Sequence, residues 1–189
     1  MLKGSGNTHL SMDSRLNDKP FSKISVRDIT TAAEINRGTF YLHYLDKYDL
    51  LEKIEQKLLD ELAQVCVDLQ PGKVLQEARK GELSQFSMQV FHYINEQDQK
   101  YKILLSSNNQ SGFMKRLQRF LAEQFSEKYT DHQVMANDPE LPARYLAAFA
   151  ASAFLGIIEE WLTTEDRESP AQMAEYFVRI ILAIQSFND

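Results

Sequence analysis

A single cysteine, Cys66, in 189 residues excludes an internal disulfide and any multi-cysteine metal site. Cys66 falls inside a helical apolar pattern, so it reads as an ordinary buried residue. Only seven glycines and five prolines interrupt the chain, and valine and threonine gather into no alternating runs. Strands are therefore not expected, and the fold class predicted is all-α. No apolar run approaches the ~20 residues needed to cross a bilayer. The start, MLKGSGNTHLSMDSR, lacks the apolar middle of a secretory signal. Both absences lead to the expectation of a soluble, cytoplasmic protein.

Signatures of catalysis are lacking too. There is no Gly-rich phosphate loop, no His-Glu-x-x-His and no Ser or Cys in a recognisable nucleophile setting. His92 and His132 stand isolated, as surface or core histidines do. The sequence therefore predicts no enzyme, no catalytic residues, no cofactor and no metal.

What is present is a helix-forming chain, 43% apolar and 25% charged, able to bury a substantial core. The net charge is −6, but it is unevenly spread. Residues 1–53 carry +1 and residues 54–189 carry −7, which divides the chain into a barely basic N-terminal part and an acidic C-terminal part. Two domains with these boundaries are expected.

The stretch SVRDITTAAEINRGTFYLHYLDKYDLL, residues 25–51, reads as two short helices, a tight junction and the start of a longer helix. Ser25 is a plausible N-cap with Asp28 at the third helical position. The first short helix should run to about Ala33 and the second from Arg37 to Tyr44. Ile29, Ala32, Ile35, Phe40 and Tyr44 would pack behind the second helix. That helix also carries Asn36, Arg37, Thr39, Tyr41 and His43, polar groups able to meet DNA. This is the layout of a helix-turn-helix, whose second helix enters the major groove. Gly38, a poor helix former, would be tolerated for close approach to another helix or a phosphate.

Asp46 caps a long helix whose apolar stripe, from Leu51 and Ile54 to Val65 and Leu69, steps by three or four. Pro71-Gly72 is expected to end it. Further helices are marked by Leu83–Ile94, Tyr101–Leu105 and Phe113–Phe125. Two long helices follow, about 142–163 and 170–187, the latter opened by Ser169, Pro170 and Gln172. Thr8–Leu16 reads as a weak short helix and Asp131–Pro142 as a polar connection.

The segment Ile24–Leu51 resembles the tetracycline-repressor (TetR) family of bacterial transcription regulators. The resemblance rests on Ala32-Ala33, the run Asn36-Arg37-Gly38-Thr39-Phe40-Tyr41, the pair His43-Tyr44, and Lys47 followed by Leu50 and Leu51. AFAASAFLGIIEEWL and SPAQMAEYFVRIIL look like the last two helices of one subgroup. The resemblance implies a cytoplasmic homodimer that binds a palindromic DNA operator and represses transcription until a small-molecule effector binds the C-terminal domain. Position by position, Thr39, Tyr41, His43 and Lys47 match family residues that hold phosphates or bases. Ser25 and Arg27 lie where a phosphate contact is usual, and Asn36 and Arg37 where base readout is usual. Physical chemistry agrees: Lys47 can neutralise phosphate, and Arg37 can make a bidentate contact with guanine.

In the helix at 142–163, Ala147, Ala150, Ala151, Phe154, Ile158 and Trp161 are expected to face a partner protomer, and Tyr145, Phe149 and Ile157 their own. The last helix adds Ala174, Phe177, Val178, Ile181 and Leu182, and the pair would form a four-helix bundle across a two-fold axis. Phe86, Phe91, Tyr101, Phe113, Met114 and Tyr145 are candidates for an effector pocket. A second reading of the whole chain is a protein-interaction module of the same fold, a co-regulator with weak DNA reading.

Overall fold

The computed structural model describes residues 21–105, 112–128 and 142–186. The weak helix expected over Thr8–Leu16, and all but the last residue of the connection expected over Asp131–Pro142, lie outside them. Among the described residues all regular structure is helical. A 3-10 turn, Phe21–Lys23, precedes α1 (Val26–Ala32), α2 (Arg37–His43), α3 (Lys47–Cys66), α4 (Pro71–Arg79) and α5 (Gln85–Glu96). The remainder is α6 (Asp98–Leu105), α7 (Phe113–Lys128), α8 (Ala143–Thr163) and α9 (Pro170–Ser186). The chain divides into two compact units, the first containing residues 1–60 and 99–113, the second 61–98 and 114–189.

In the first unit, α1 begins on the cap expected from sequence. The Asp28 N–H donates to Ser25 Oγ (3.2 Å), and the Ser25 N–H donates to Asp28 Oδ2 (2.9 Å). Such a reciprocal pair satisfies two amide groups that a helix start leaves open. The helix stops by a left-handed residue, Glu34 (φ 54°). The Ile35 N–H reaches Thr30 O (3.0 Å) and the Glu34 N–H reaches Thr31 O (3.3 Å), which together close the last turn. A residue with a Cβ is strained in that conformation by about 1–2 kcal/mol, against roughly 0.5–1 kcal/mol of backbone entropy that glycine would lose. Glu34→Gly is therefore expected to stabilise the protein by about 0.5–1 kcal/mol, read as a rise in Tm. A fall in Tm would show that the Glu34 side chain contributes more than its backbone costs.

Ile24, Ile29, Ala33, Phe40, Tyr44, Leu50 and Ile54 are buried and hold α1, α2 and the start of α3 together. Ala33 takes the buried place expected for Ala32, which is half-buried along with Ile35. The start of α3 is capped by Asp46 Oδ1, which accepts from the Tyr48 and Asp49 N–H groups (2.8 and 2.9 Å).

The second unit takes the rest of α3, which ends at Cys66. Pro71 does not merely terminate a helix; it opens α4, where its fixed φ suits the first turn and its missing N–H costs nothing. Phe91, wholly buried on α5, sits among Phe154, Trp161 and Phe177 at ring-centroid distances of 6.0, 5.6 and 5.9 Å. Helix α9 packs on α5 and α4 and is opened by a second capping box, with the Gln172 N–H on Ser169 Oγ (3.3 Å) and the Ser169 N–H on Gln172 Oε1 (3.0 Å). Arg167 in the α8–α9 turn donates to Asn95 Oδ1 (2.9 Å) and Asp98 Oδ2 (2.8 Å) and stacks on Trp161.

Helix α8 requires two corrections. By length and composition it is apolar enough to cross a membrane, contrary to the expectation that no stretch approaches that limit. One face of it is nevertheless core: Ala147, Ala151, Phe154, Leu155, Ile158, Trp161 and Leu162 are buried. Much of the face expected to meet a partner is also core, although Ile157, expected to face its own chain, is indeed half-buried. Ala147, Ala151, Phe154, Ile158 and Trp161, with Ala174 and Val178 of α9, are buried within the single chain and offer no surface to a partner. Ala150, Phe177, Ile181 and Leu182 are half-buried, whereas Tyr145 and Phe149 are each 59% exposed. A helix apolar around its whole circumference does not reveal by periodicity which side points inward.

Candidate nucleic-acid interface

Helix α2 turns its buried side, Phe40 and Tyr44, toward the first unit's core. Four residues apart, these two leave Arg37, Tyr41, Leu42 and His43 on the exposed side. The Arg37 guanidinium lies 5.9 Å from the Tyr41 ring centre, and its Nη2 donates to Tyr41 Oη at 3.5 Å. Cation and hydroxyl are thus presented side by side, one turn apart. Arg27 on α1 is exposed as well.

Other candidates are engaged in building the fold. Asn36 is the N-cap of α2: its Oδ1 accepts from the Thr39 N–H (2.7 Å) and from the Thr39 hydroxyl (3.2 Å). Gly38 finds its explanation there, since a Cβ at this position would stand 3.0 Å from Asn36 Oδ1. The Ser25 hydroxyl donates to Asp28 Oδ2 (2.7 Å). Lys47 differs most from expectation. Its ammonium donates to three carbonyls, of Phe21 (3.0 Å), Ser22 (2.9 Å) and Ile24 (2.7 Å), and lies near the Phe21 and Tyr48 rings. Lys47 fastens the 3-10 turn to the start of α3, as a lysine does at the carbonyl end of a helix.

Two exposed apolar residues were missed in the sequence: Leu42 on α2, 81% exposed, and Leu45 in the turn after it, 84% exposed. Large apolar side chains held out in water suit contact with thymine methyl groups. For Leu42 the available signal was its position, since Phe40 and Tyr44 fix which side of α2 is outward.

Lys53 closes the other end of α2, donating to His43 O (2.9 Å) and Asp49 Oδ2 (3.0 Å). The Leu45 N–H and then Lys53 hold the Asp49 carboxyl below its ordinary range. A carboxylate whose folded pKa is lowered stabilises the fold above the ordinary aspartate value and loses that contribution as pH falls through the lowered one. Asp49→Asn should therefore lower Tm at pH 7. The difference from wild type should narrow below pH ~4. A difference that stays constant on acidification would contradict this role.

Residues 16–54 match the family described as "Bacterial regulatory proteins, tetR family", and residues 81–183 match "Transcriptional regulator C-terminal region" of the same group. The chain belongs to the TetR family of transcriptional regulators. It is a DNA-binding regulator, and α1–α2 form the helix-turn-helix of that family. No curated protein matches the sequence. Among solved structures, a TetR regulator from Streptococcus agalactiae 2603V superposes with TM-score 0.64 at 20% identity, over 95% of this chain and 93% of that one. The structure titled "Dihydroxyacetone kinase operon activator DhaS" gives 0.62 at 17%, over 97% and 96%. At these identities the likeness is one of fold.

The effector candidates are scattered through this TetR chain. Tyr101 and Phe113 lie in the first unit, ring against ring at 6.3 Å. Phe91 is core, Met114 is half-buried and Tyr145 is exposed. Of the six, only Phe86 lines the apolar cavity of the second unit, a space of about 100 Å³. Cys66 also lines it, and burial pushes its thiol up to about 11, so it stays protonated and unreactive at neutral pH.

Proposed function

We propose that the protein is a cytoplasmic homodimer that represses transcription by occupying a palindromic operator and leaves it when a small molecule binds. It acts without catalysis. Residues 1–53 read DNA, and residues 54–189 dimerise and respond to the effector. The carrying observation is the outward side of α2, where Arg37 and Tyr41 are exposed and adjacent while Phe40 and Tyr44 anchor the helix from behind. Arg37 reads guanine, Tyr41, His43 and Arg27 hold phosphate, and Leu42 and Leu45 meet thymine methyls. Asn36, Ser25, Thr39 and Lys47 keep their assigned proximity to DNA, but their principal work is to shape the helix-turn-helix.

Dimerisation uses the exposed apolar side of α8 and α9. Tyr145, Phe149 and Gly156 on α8 and Tyr176, Ile180 and Ile184 on α9 share it, with Ala148, Ser152 and Ala153 between. Gly156 supports this reading. A mid-helix glycine costs about 1 kcal/mol relative to alanine. Among the described residues nothing lies within 4 Å of a Cβ built there, so no packing seen within the protomer requires it. Close approach of a partner helix supplies the reason.

Selection from a randomised duplex library tests the reading. Wild type should enrich two inverted half-sites, and Arg37→Ala should lose its preference for one guanine in each. A reporter behind the selected operator gives the sign of regulation. DhaS is named as an operon activator, and expression that rises with this protein would make it an activator too.

A second reading, the protein-interaction module, draws on the Lys47 ammonium being satisfied by three carbonyls. Failure of wild type to enrich any sequence would favour it.

A further inference from the structure

An ammonium offers three N–H donors, and Lys47 uses all three inside the first unit. They meet the carbonyls of Phe21 (3.0 Å), Ser22 (2.9 Å) and Ile24 (2.7 Å). The charge also lies 5.1 and 5.2 Å from the Phe21 and Tyr48 ring centres. To pair with a phosphate, Lys47 would have to abandon these carbonyls, and the bonds to Phe21 and Ile24 are partly shielded from water. Three converging bonds mark a holding role.

What they hold is a turn of three residues, Phe21–Lys23, too short to keep its shape alone. Lys23 stands between the pinned Ser22 and Ile24, and it is exposed. Arg27, four residues on, is exposed too. Four residues span at most about 14 Å. DNA carries one charge per about 3.4 Å of each strand, so both cations can meet the same stretch of backbone. Asp28, the acidic neighbour, turns its Oδ2 to the Ser25 N–H (2.9 Å) and hydroxyl (2.7 Å), where it serves the cap of α1.

We infer that Lys23 is a further phosphate contact, paired with Arg27, and that Lys47 is a positioning residue that acts on DNA by fixing the turn that carries Lys23. The assignment rests on the proposed reading in which Arg27 holds phosphate.

The test is the salt dependence of operator binding by the full-length protein, with melting curves showing that each variant is folded at the assay temperature. Each phosphate contact contributes about 0.9 to the slope of log K against log salt. Lys23→Ala, which removes one contact in each half-site, should therefore lower the slope by about 1.8. Lys47→Arg keeps the charge but replaces a three-pronged ammonium by a flat fork. It should lower the slope as much as Lys23→Ala does, and the two substitutions together should lower it no further. If Lys47→Arg does not fold, Lys47→Met takes its place, again with no added loss beside Lys23→Ala.

An unchanged slope in Lys23→Ala would overturn the contact. A folded Lys47 variant with the wild-type slope would show that Lys47 only stabilises the fold. Losses that add in the combined variant would show that Lys47 holds phosphate itself. Either result overturns the positioning role. Failure of the underlying reading looks different: Arg27→Ala would leave the slope unchanged, which overturns the pairing whatever Lys23→Ala does. No operator binding by wild type would overturn the inference together with the reading.

Discussion

Gly156→Arg is expected to leave the protomer folded and to weaken self-association by roughly 100-fold or more. The protomer should tolerate it because the position is exposed and a Cβ there meets no atom of the described residues within 4 Å. Helix propensity alone should favour the change by up to about 1 kcal/mol. In the dimer the same side chain would be driven into an apolar face approached by its symmetry mate. An uncompensated buried charge costs about 3–5 kcal/mol, which is the basis of the fold-change. Sedimentation velocity reads the dimer and thermal denaturation reads the protomer. A dimer of undiminished strength would place the interface elsewhere, and a protomer that fails to melt cooperatively would mean that Gly156 is packed. Operator affinity should fall with the dimer, since each protomer holds one half-site.

The second large effect is expected in the core of the second unit. Phe91→Ala should cost about 3–5 kcal/mol, the usual range for emptying a buried aromatic site. Phe91 is wholly buried and touches rings from both α8 and α9, so its removal loosens three helices at once. Urea denaturation at constant slope gives the value. A loss under about 1 kcal/mol would mean that Phe91 borders an accommodating, ligand-sized space, as the sequence suggested.

Local signals were the most legible part of the chain. The Ser25–Asp28 and Ser169–Gln172 caps involve residues three apart, and both form as read. Phe40 and Tyr44 declared the buried side of α2 by their spacing. Long-range pairing was not legible. Nothing in the sequence says that Lys47 reaches back more than twenty residues to the carbonyls of Phe21, Ser22 and Ile24. Asn36 was read for what its amide can recognise, although its position before a helix also suits it to cap. Helix α8 was the hardest case. Its small residues Ala147 and Ala151 allow close packing inside the chain, while its aromatic Tyr145 and Phe149 stay outside. Size and hydrophobicity alone did not separate its inward side from its outward one.

The central claim is that the outward side of α2 reads a DNA sequence. The most direct measurement is fluorescence anisotropy of the selected operator duplex with wild type and Arg37→Ala, at low and moderate salt, against unrelated competitor DNA. Wild-type binding should resist the competitor. Loss of one good base contact costs about 1–3 kcal/mol, so losing one in each of two half-sites should weaken it by about 2–6 kcal/mol, roughly 30-fold or more. Binding that the competitor abolishes, or that Arg37→Ala leaves unchanged, would contradict the account.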